Sequence, residues 1–361
     1  MRLVTTSSVE AGTVLGKTIY NETGQILLSE GVELKESMIE RLNSLGISYI
    51  FIKDSQTEDI EYKGTLSDPI RRKAIQTINS TFIEIQKESN IGGSFVVEKA
   101  SRRLSELIQF LMTELGNNKD LLNLLSDAFT YDNYIFTHSL NVTLYTLALG
   151  LELKLTPKEL ETLGLGAIFH DIGKLQVPLD VLLKPGKLTE EEYVAIKKHA
   201  ETGFQILRKV QTVPLLVAHC AYQHHERIDG SGYPRGLTGK DIHLFGKIIA
   251  VADVFDAVTS NRIYRKAMLP HEGLEILYAG SGTLFEQKIV EAFRLAVAIY
   301  PVGITVELND GRKGIVTGQN IGLGDRPILR IMEHSGEQVS PYELDMKVEL
   351  NVVITECDTA F

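Results

Sequence analysis

The feature that most restricts what this chain can fold into is a ladder of imidazoles and carboxylates. His138, His170–Asp171, His199, His224–His225 and Asp253 follow one another at intervals of 32, 28, 25 and 28 residues, counted from His138 to His170, Asp171 to His199, His199 to His224 and His225 to Asp253. Each interval matches one helix plus a connection. The surrounding segments Asp132–Leu151, Pro157–Phe169, Thr189–Arg208, Pro214–Gln223, Ile242–Ser260, Pro270–Ala279 and Glu286–Ala298 are helix candidates. In a helical bundle, side chains from successive helices converge on one interior point. Imidazole nitrogen together with carboxylate oxygen suits iron, manganese, nickel or zinc. Seven such groups exceed the needs of one ion, so the simplest arrangement is two metals sharing a carboxylate.

Local context supports a buried centre. In GLGAIFHDIGK the His170–Asp171 pair follows the apolar stretch Leu165–Phe169, and in AVADVFDAV Asp253 sits inside a similarly apolar helix. Polar groups placed there are costly to bury unless paired or metal-bound. His219, His243, His271 and His334 fall outside the pattern and read as structural or surface residues. Asp256, one turn beyond Asp253, fits either a partner that orients a ligand or a surface carboxylate.

Other patterning flanks this region. Residues 1–54 mix short strands (Met1–Val4, Thr13–Tyr20, Gln25–Leu28, Ser48–Lys53) with one helix carrying Leu34, Met38, Ile39, Leu42 and Leu45, and NETG at 21–24 reads as a turn. Residues 55–67 are polar and read as a linker or exposed loop. Asp68–Pro69 is an N-cap followed by proline at the first helical position. Phe95–Leu115 and Leu121–Phe129 have helical spacing and are expected to pack on the helices C-terminal to them or to mediate dimerisation. Beyond Pro301 the pattern turns to strands: ITVELNDGRKGIVTGQN, the Pro327–Val339 hairpin with a Ser-Gly turn, and Val348–Thr355. Residues 302–361 therefore read as a small β-barrel or β-sandwich. The fold class expected is multidomain and mainly α: a small α+β segment at 1–54, a linker and helical segment at 55–129, an all-α bundle at 130–301 and a small β-module at 302–361.

Composition bounds the function. The net charge of −10 is a poor match to general nucleic-acid binding, which relies on Lys and Arg neutralising phosphates. It leaves room for a small anionic ligand in a metal-lined pocket. The two cysteines, Cys220 and Cys357, form no CxxC pair and fit a reducing compartment. The N-terminus MRLVTTSSVEAG lacks the apolar stretch of a signal peptide, and no run of about 18 uncharged apolar residues occurs. The expectation is a cytoplasmic protein without membrane insertion.

The strings HDIGK, KPGKLTEEEYVAIKKHAETGFQIL, HHERIDGSGYPRGL and DVFDAVTSNRIYRKA strongly resemble the HD-GYP subgroup of the HD phosphohydrolase superfamily, over residues 130–300. The resemblance implies an HD-type helical bundle and a bacterial phosphodiesterase acting on cyclic di-GMP. It implies one metal held by His138, His170, Asp171 and Asp253 and a second held by Asp171, His199, His224 and His225. Asp171 and a hydroxide would bridge them. Some members of the family hold a third metal through a glutamate one turn before the first histidine. That position is Tyr134 here, so two divalent ions are expected, iron or manganese first and nickel or zinc next.

Further site residues come from the same strings. Lys174, one turn after His170, is placed to hold a phosphate oxygen as the phosphodiester gains charge. Gly230, Gly232 and Gly236 flank Tyr233–Pro234 in a loop too glycine-rich for regular structure, with Gly232, Tyr233 and Pro234 as substrate contacts. Arg262 and Arg265 match family positions that help bind the dinucleotide, and arginine suits phosphate and guanine edges. The expected products are linear pGpG and, after a second cut, GMP. The competing readings are a cyclic-dinucleotide sensor or protein scaffold, and an HD-type hydrolase of another cyclic dinucleotide. The terminal modules are candidate surfaces for protein partners.

Overall fold

The computed structural model describes residues 1–361 apart from 21–24, 46, 48, 55–56, 58, 61–65, 89–93, 118–133, 183, 185, 261–267 and 358–361. The expected NETG turn, the Leu121–Phe129 helix and the arginines Arg262 and Arg265 lie outside the described residues. Near the N-terminus, β1 (Arg2–Thr5) pairs antiparallel with β4 (Tyr49–Ile52), and β2 (Ile19–Tyr20) pairs with β3 (Ile26–Leu28). Between the pairs lies α1 (Glu36–Ser44), whose Ile39 and Leu42 face a small core with Leu15, Leu34, Ile47 and Ile50. Only the end of the expected Thr13–Tyr20 strand is regular; Val14 and Leu15 make isolated bridges to Glu33 and Ile52 instead.

The stretch expected as an exposed linker is held in place. Thr57, Ile60 and Leu66 are buried. The backbone carbonyls of Thr57 and Ile60 accept the N-terminal ammonium, and Ile60 packs with Ile315 and Met332. Asp59 takes both guanidinium nitrogens of Arg330 at 2.7 Å.

The helices are α2 (Asp68–Glu88), α3 (Ser94–Asn117), α4 (Tyr134–Glu152), α5 (Pro157–Phe169), the short and unexpected α6 (Leu179–Leu182), α7 (Glu190–Lys197), α8 (His199–Leu207), α9 (Leu215–Gln223), α10 (Leu244–Thr259), α11 (Pro270–Ala279) and α12 (Gln287–Ala296). Together they enclose one large apolar core that includes Phe82, Ile108, Leu147, Phe169, Ile249, Phe255 and Phe293. α5 starts at a capping box: Thr156 Oγ1 accepts the Glu159 N–H, and Glu159 Oε2 accepts the Thr156 N–H at 2.8 Å. From Leu163 to Phe169 it is buried on every side, which carries the following His170–Asp171 pair into the interior.

The single helix expected over Thr189–Arg208 is two. α7 has no buried residue, whereas α8 buries His199, Ala200, Gly203 and Leu207. A bend at Lys198, with ψ flattened to −18°, reconciles a solvent-facing helix with an inward-facing one.

The C-terminal strands form one antiparallel sheet in the order β8-β7-β6-β5-β9: β5 (Thr305–Leu308), β6 (Arg312–Gly318), β7 (Ile328–His334), β8 (Glu337–Asp345) and β9 (Ile354–Cys357). Among the described residues β8 and β9 do not pair, so the expected barrel or sandwich is an open five-stranded sheet. Its hairpin turn is the expected Ser-Gly pair, with Ser335 and Gly336 both at positive φ, as a tight two-residue connection requires. The sheet touches the N-terminal pair through the Leu3–Ile304 bridge.

The tightest approach in the helical region is at Gly173, in the 3-10 turn Ile172–Gln176. A Cβ there would lie 2.0 Å from the His199 carbonyl oxygen and 2.7 Å from the Gly203 nitrogen. Backbone cannot yield as a side chain can. Gly173→Ala is therefore expected to cost about 3 kcal/mol or more of unfolding free energy, measured by urea denaturation of the metal-free protein; a change under about 0.5 kcal/mol, the ordinary surface value, would contradict the packing.

Candidate metal centre

Each of the seven polar residues is delivered by a helix or a helix end. α4 carries His138 in its buried first half. α5 ends on His170, and Asp171 opens the 3-10 turn that carries Lys174. α8 begins at His199. α9 ends on His224, with His225 next, and α10 carries Asp253 in mid-helix. Burial is nearly complete for His138, His170, Asp171, His199 and His224, and Asp253 is 6 % exposed. His170 and His224 also sit at helix C-termini, where unpaired carbonyls favour a cation.

The seven side chains meet around Asp171. Its Oδ2 lies 3.2 Å from His170 Nε2 and 3.6 Å from His138 Nε2, while its Oδ1 lies 3.2 Å from His199 Nε2 and 3.7 Å from His224 Nε2. The carboxylate thus presents one oxygen to each of two imidazole groups. Asp253 spans them: Oδ1 is 3.1 Å from His138 Nε2, and Oδ2 is 3.7 Å from His225 Nδ1. Ligand atoms of His138, His170 and Asp171 form one set spaced for a metal ion, and those of Asp171, His199, His224 and His225 form another.

The protonation pattern is fixed from outside. His170 Nδ1 donates to the Ala167 carbonyl at 2.6 Å, His199 Nδ1 to that of Ile196 at 2.6 Å and His224 Nδ1 to that of Ala221 at 2.9 Å. A carbonyl can only accept, so each Nδ1 holds the hydrogen and each Nε2 turns a lone pair inward. His199 Nε2 and His224 Nε2 face each other at 3.3 Å, and His170 Nε2 is buried without a hydrogen bond among the described residues. Lone pairs converging in a dry interior repel one another and lack a donor. A bound cation relieves both costs, so the residues present fit two metal ions.

Protons and the Lys174 ammonium offset the carboxylate charge within the centre. Burial raises the pKa of the Asp171 carboxyl, but the Lys174 ammonium leads the effects that outweigh it and hold the group well below the usual carboxylate range. Lys174 Nζ bonds Asp171 Oδ2 directly. Burial likewise disfavours a charged His138, yet its bonds to Asp253 and Asp256 raise its pKa to about 9. Burial, helped by the neighbouring imidazoles, lowers His224 to about 4.

The remaining predicted residues divide. Tyr233 stacks on His225, with centroids 4.6 Å apart and planes 27° apart, and donates its backbone N–H to the His225 carbonyl. Lys197 Nζ lies 5.2 Å from the Tyr233 ring centre. Gly232 is needed sterically, because a Cβ would fall within 2.5 Å of the Glu226 and His225 backbone. Pro234 follows Tyr233 through a cis peptide bond. Arg262 and Arg265 lie outside the described residues, and so does the Tyr134 side chain. His243 caps α10, accepting the Phe245 N–H at 3.1 Å.

Two partners were not singled out in the sequence. Glu226, buried behind His225, accepts the N–H groups of Arg235 and Leu237 and pins the loop that carries Tyr233. Asn141, three residues after His138 on the same helix face, donates to Asp256 Oδ1 at 2.8 Å, while Asp256 Oδ2 accepts His138 Nδ1–H at 2.7 Å. Asp256 is therefore buried beneath the centre rather than on the surface.

These protons set a pH dependence. A metal held through His138 would have to displace its Nε2 proton, so Mn(II) affinity is expected to rise with pH from neutrality and level off above about 9. The stability sign is opposite: charged His138 stabilises the metal-free fold below its ordinary value, and that contribution is lost as pH rises through about 9. Neutral His224 stabilises above its ordinary value, and that contribution is lost as pH falls through about 4. Calorimetric Mn(II) titration across this range, with proton release read from buffers of different ionisation heat, checks the first statement; an affinity independent of pH contradicts it.

Residues 116–289 match the family model described as HD domain. The chain is 34 % identical over 257 residues to a cyclic di-GMP phosphodiesterase of Pseudomonas aeruginosa, covering 71 % of this chain and 61 % of that protein. It is 36 % identical over 233 residues to the cyclic di-GMP phosphodiesterase response regulator RpfG of Xanthomonas campestris, covering 63 % and 60 %. Over 146 residues it is 44 % identical to the 3′3′-cGAMP-specific phosphodiesterase 1 of Vibrio cholerae, covering 40 % and 33 %. The chain spans about 60 % of the length of the first two relatives. Residues 116–289, which carry the His-Asp centre and the Gly-Tyr-Pro loop, are thus an HD domain.

Proposed function

We propose that this chain hydrolyses cyclic di-GMP to pGpG or GMP at a centre of two divalent metal ions, iron or manganese. The observation that carries the reading is the division of Asp171, one oxygen to each imidazole group. His138, His170, Asp171 and Asp253 would hold one ion, and Asp171, His199, His224 and His225 the other. When bound, such a pair supplies Lewis acidity and an acidified water as nucleophile near neutral pH.

The protein's own contribution is positioning and charge. The outward Nδ1 bonds of His170, His199 and His224 keep these imidazoles aimed at the centre, so their rings need not turn when ions enter. Lys174, on the rim of the centre and bonded to Asp171, offers an ammonium to the phosphate oxygens as charge builds. Tyr233, stacked on His225 and pinned by way of Glu226, offers a face for a nucleobase. Arg262 and Arg265 are assigned to the dinucleotide by the family pattern alone. The catalytic unit is assigned to residues 130–301, with the segments at 1–54 and 302–361 as flanking modules for partners or for a second copy. Among the described residues no helix is long and apolar enough to cross a membrane.

A second substrate is a candidate, since over aligned stretches of 146 residues the chain is 44 % identical to the relative named for 3′3′-cGAMP and 40 % identical to one named as a probable cyclic di-GMP phosphodiesterase. The two cyclic dinucleotides should therefore be compared side by side. Protein loaded anaerobically with Fe(II) or Mn(II) is expected to release pGpG or GMP from cyclic di-GMP, separated by chromatography. Asp171→Asn should fall to the blank and Lys174→Ala should lose roughly 10²-fold in kcat. Intact cyclic di-GMP beside cleaved 3′3′-cGAMP would assign the second substrate; both intact with metals bound would overturn the hydrolase reading.

A further inference from the structure

We propose that Arg71, on α2 and outside the matched HD region, is a positioning residue for the metal centre, acting on His138 through a buried relay. The inference rests on the two-metal reading above. Arg71 is 5 % exposed, and its Nη2 donates to Asn141 Oδ1 at 2.7 Å. Asn141 Nδ2 donates to Asp256 Oδ1 at 2.8 Å, and Asp256 Oδ2 accepts from His138 Nδ1 at 2.7 Å. Asn141 and Asp256 are as deeply buried as the histidine.

The relay has a fixed polarity, and Arg71 sets it. A guanidinium only donates, so the Asn141 amide must turn its oxygen toward α2 and its nitrogen toward Asp256. Unconstrained, that amide could flip and present an acceptor to a carboxylate. With the amide fixed, Asp256 accepts from Asn141 Nδ2, from Ser260 Oγ at 3.1 Å and from His138 Nδ1. His138 then keeps its hydrogen on Nδ1 and presents Nε2 to the centre. His170 and His224 take the same orientation from carbonyls of α5 and α9, and His199 takes it from the Ile196 carbonyl near the end of α7. Among these four, His138 is oriented by a side chain, and that side chain is held from another segment.

The same helix also reaches the N-terminal strands. The Arg72 guanidinium lies 4.6 Å from the centre of the Tyr20 ring. Adjacent residues of α2 thus touch the N-terminal segment on one side and the support of the metal centre on the other.

The test titrates the metal-free full chain with Mn(II) by calorimetry, with His138→Ala and His199→Ala assigning the two binding steps. Arg71→Met is expected to weaken the His138 step roughly tenfold and leave the His199 step within about twofold. Arg71→Lys, which can still donate to Asn141, should recover most of the loss. A general loss of stability would weaken both steps together, and that outcome overturns the proposal, as does an unchanged His138 step. Should Arg71→Met fail to fold, Asn141→Asp keeps the acceptor for Arg71 but removes the donor to Asp256; it must show the same selective loss, and unaltered binding overturns the relay. If the unaltered protein takes up no Mn(II), it is the two-metal reading that has failed, which is a separate result.

Discussion

The structure is organised around the cost of burying one carboxylate. Asp171 is almost fully enclosed at the end of an apolar helix, where an unpaired charge would be untenable. Its two oxygens face two groups of imidazoles, and Lys174 closes over one of them. Every helix that supplies one of these side chains must reach this one point. α4, α5, α8, α9 and α10 pack around it, and Gly173 and Gly203 let the 3-10 turn lie against α8 closely enough to bring His199 within reach.

Orientation matters as much as proximity. Neutral imidazoles ligate through a lone pair, so the proton must be kept on the outer nitrogen. Helix geometry does this for His170, His199 and His224, whose Nδ1 atoms find carbonyls one turn back in the chain. His138 lies in the second turn of α4, inside the helix rather than at its C-terminus, and it uses Asp256 instead. That difference places a carboxylate, an amide and a guanidinium in the core, each satisfied by the next. Removing any one would leave a buried polar group exposed to an apolar interior.

Much of this was legible in the sequence. The periodic His and Asp positions name the side chains that meet at the centre, because residues that must meet at one point leave a spacing set by helix length. α5 and α11 match their expected bounds, since a proline at the first helical position marks the start of each. The break between α7 and α8 was not legible: both halves have helical patterning, and the change from exposed to buried facing shows only in three dimensions. The Arg71–Asn141–Asp256 relay was hidden for a similar reason. Its members are far apart in the chain, each is ordinary on a helix, and only the packing of α2 against α4 joins them. The burial of Thr57 and Ile60 was masked by polar neighbours, because the groups that hold that segment, the N-terminal ammonium, Arg330, Ile315 and Met332, are far away in the chain.

The central claim is that Asp171 is shared between two metals. Anomalous diffraction from crystals grown with Mn(II) tests it most directly. The account requires two peaks flanking Asp171, one beside Oδ2 with His138 and His170, the other beside Oδ1 with His199 and His224. A single peak, or two peaks that do not share Asp171, would contradict it.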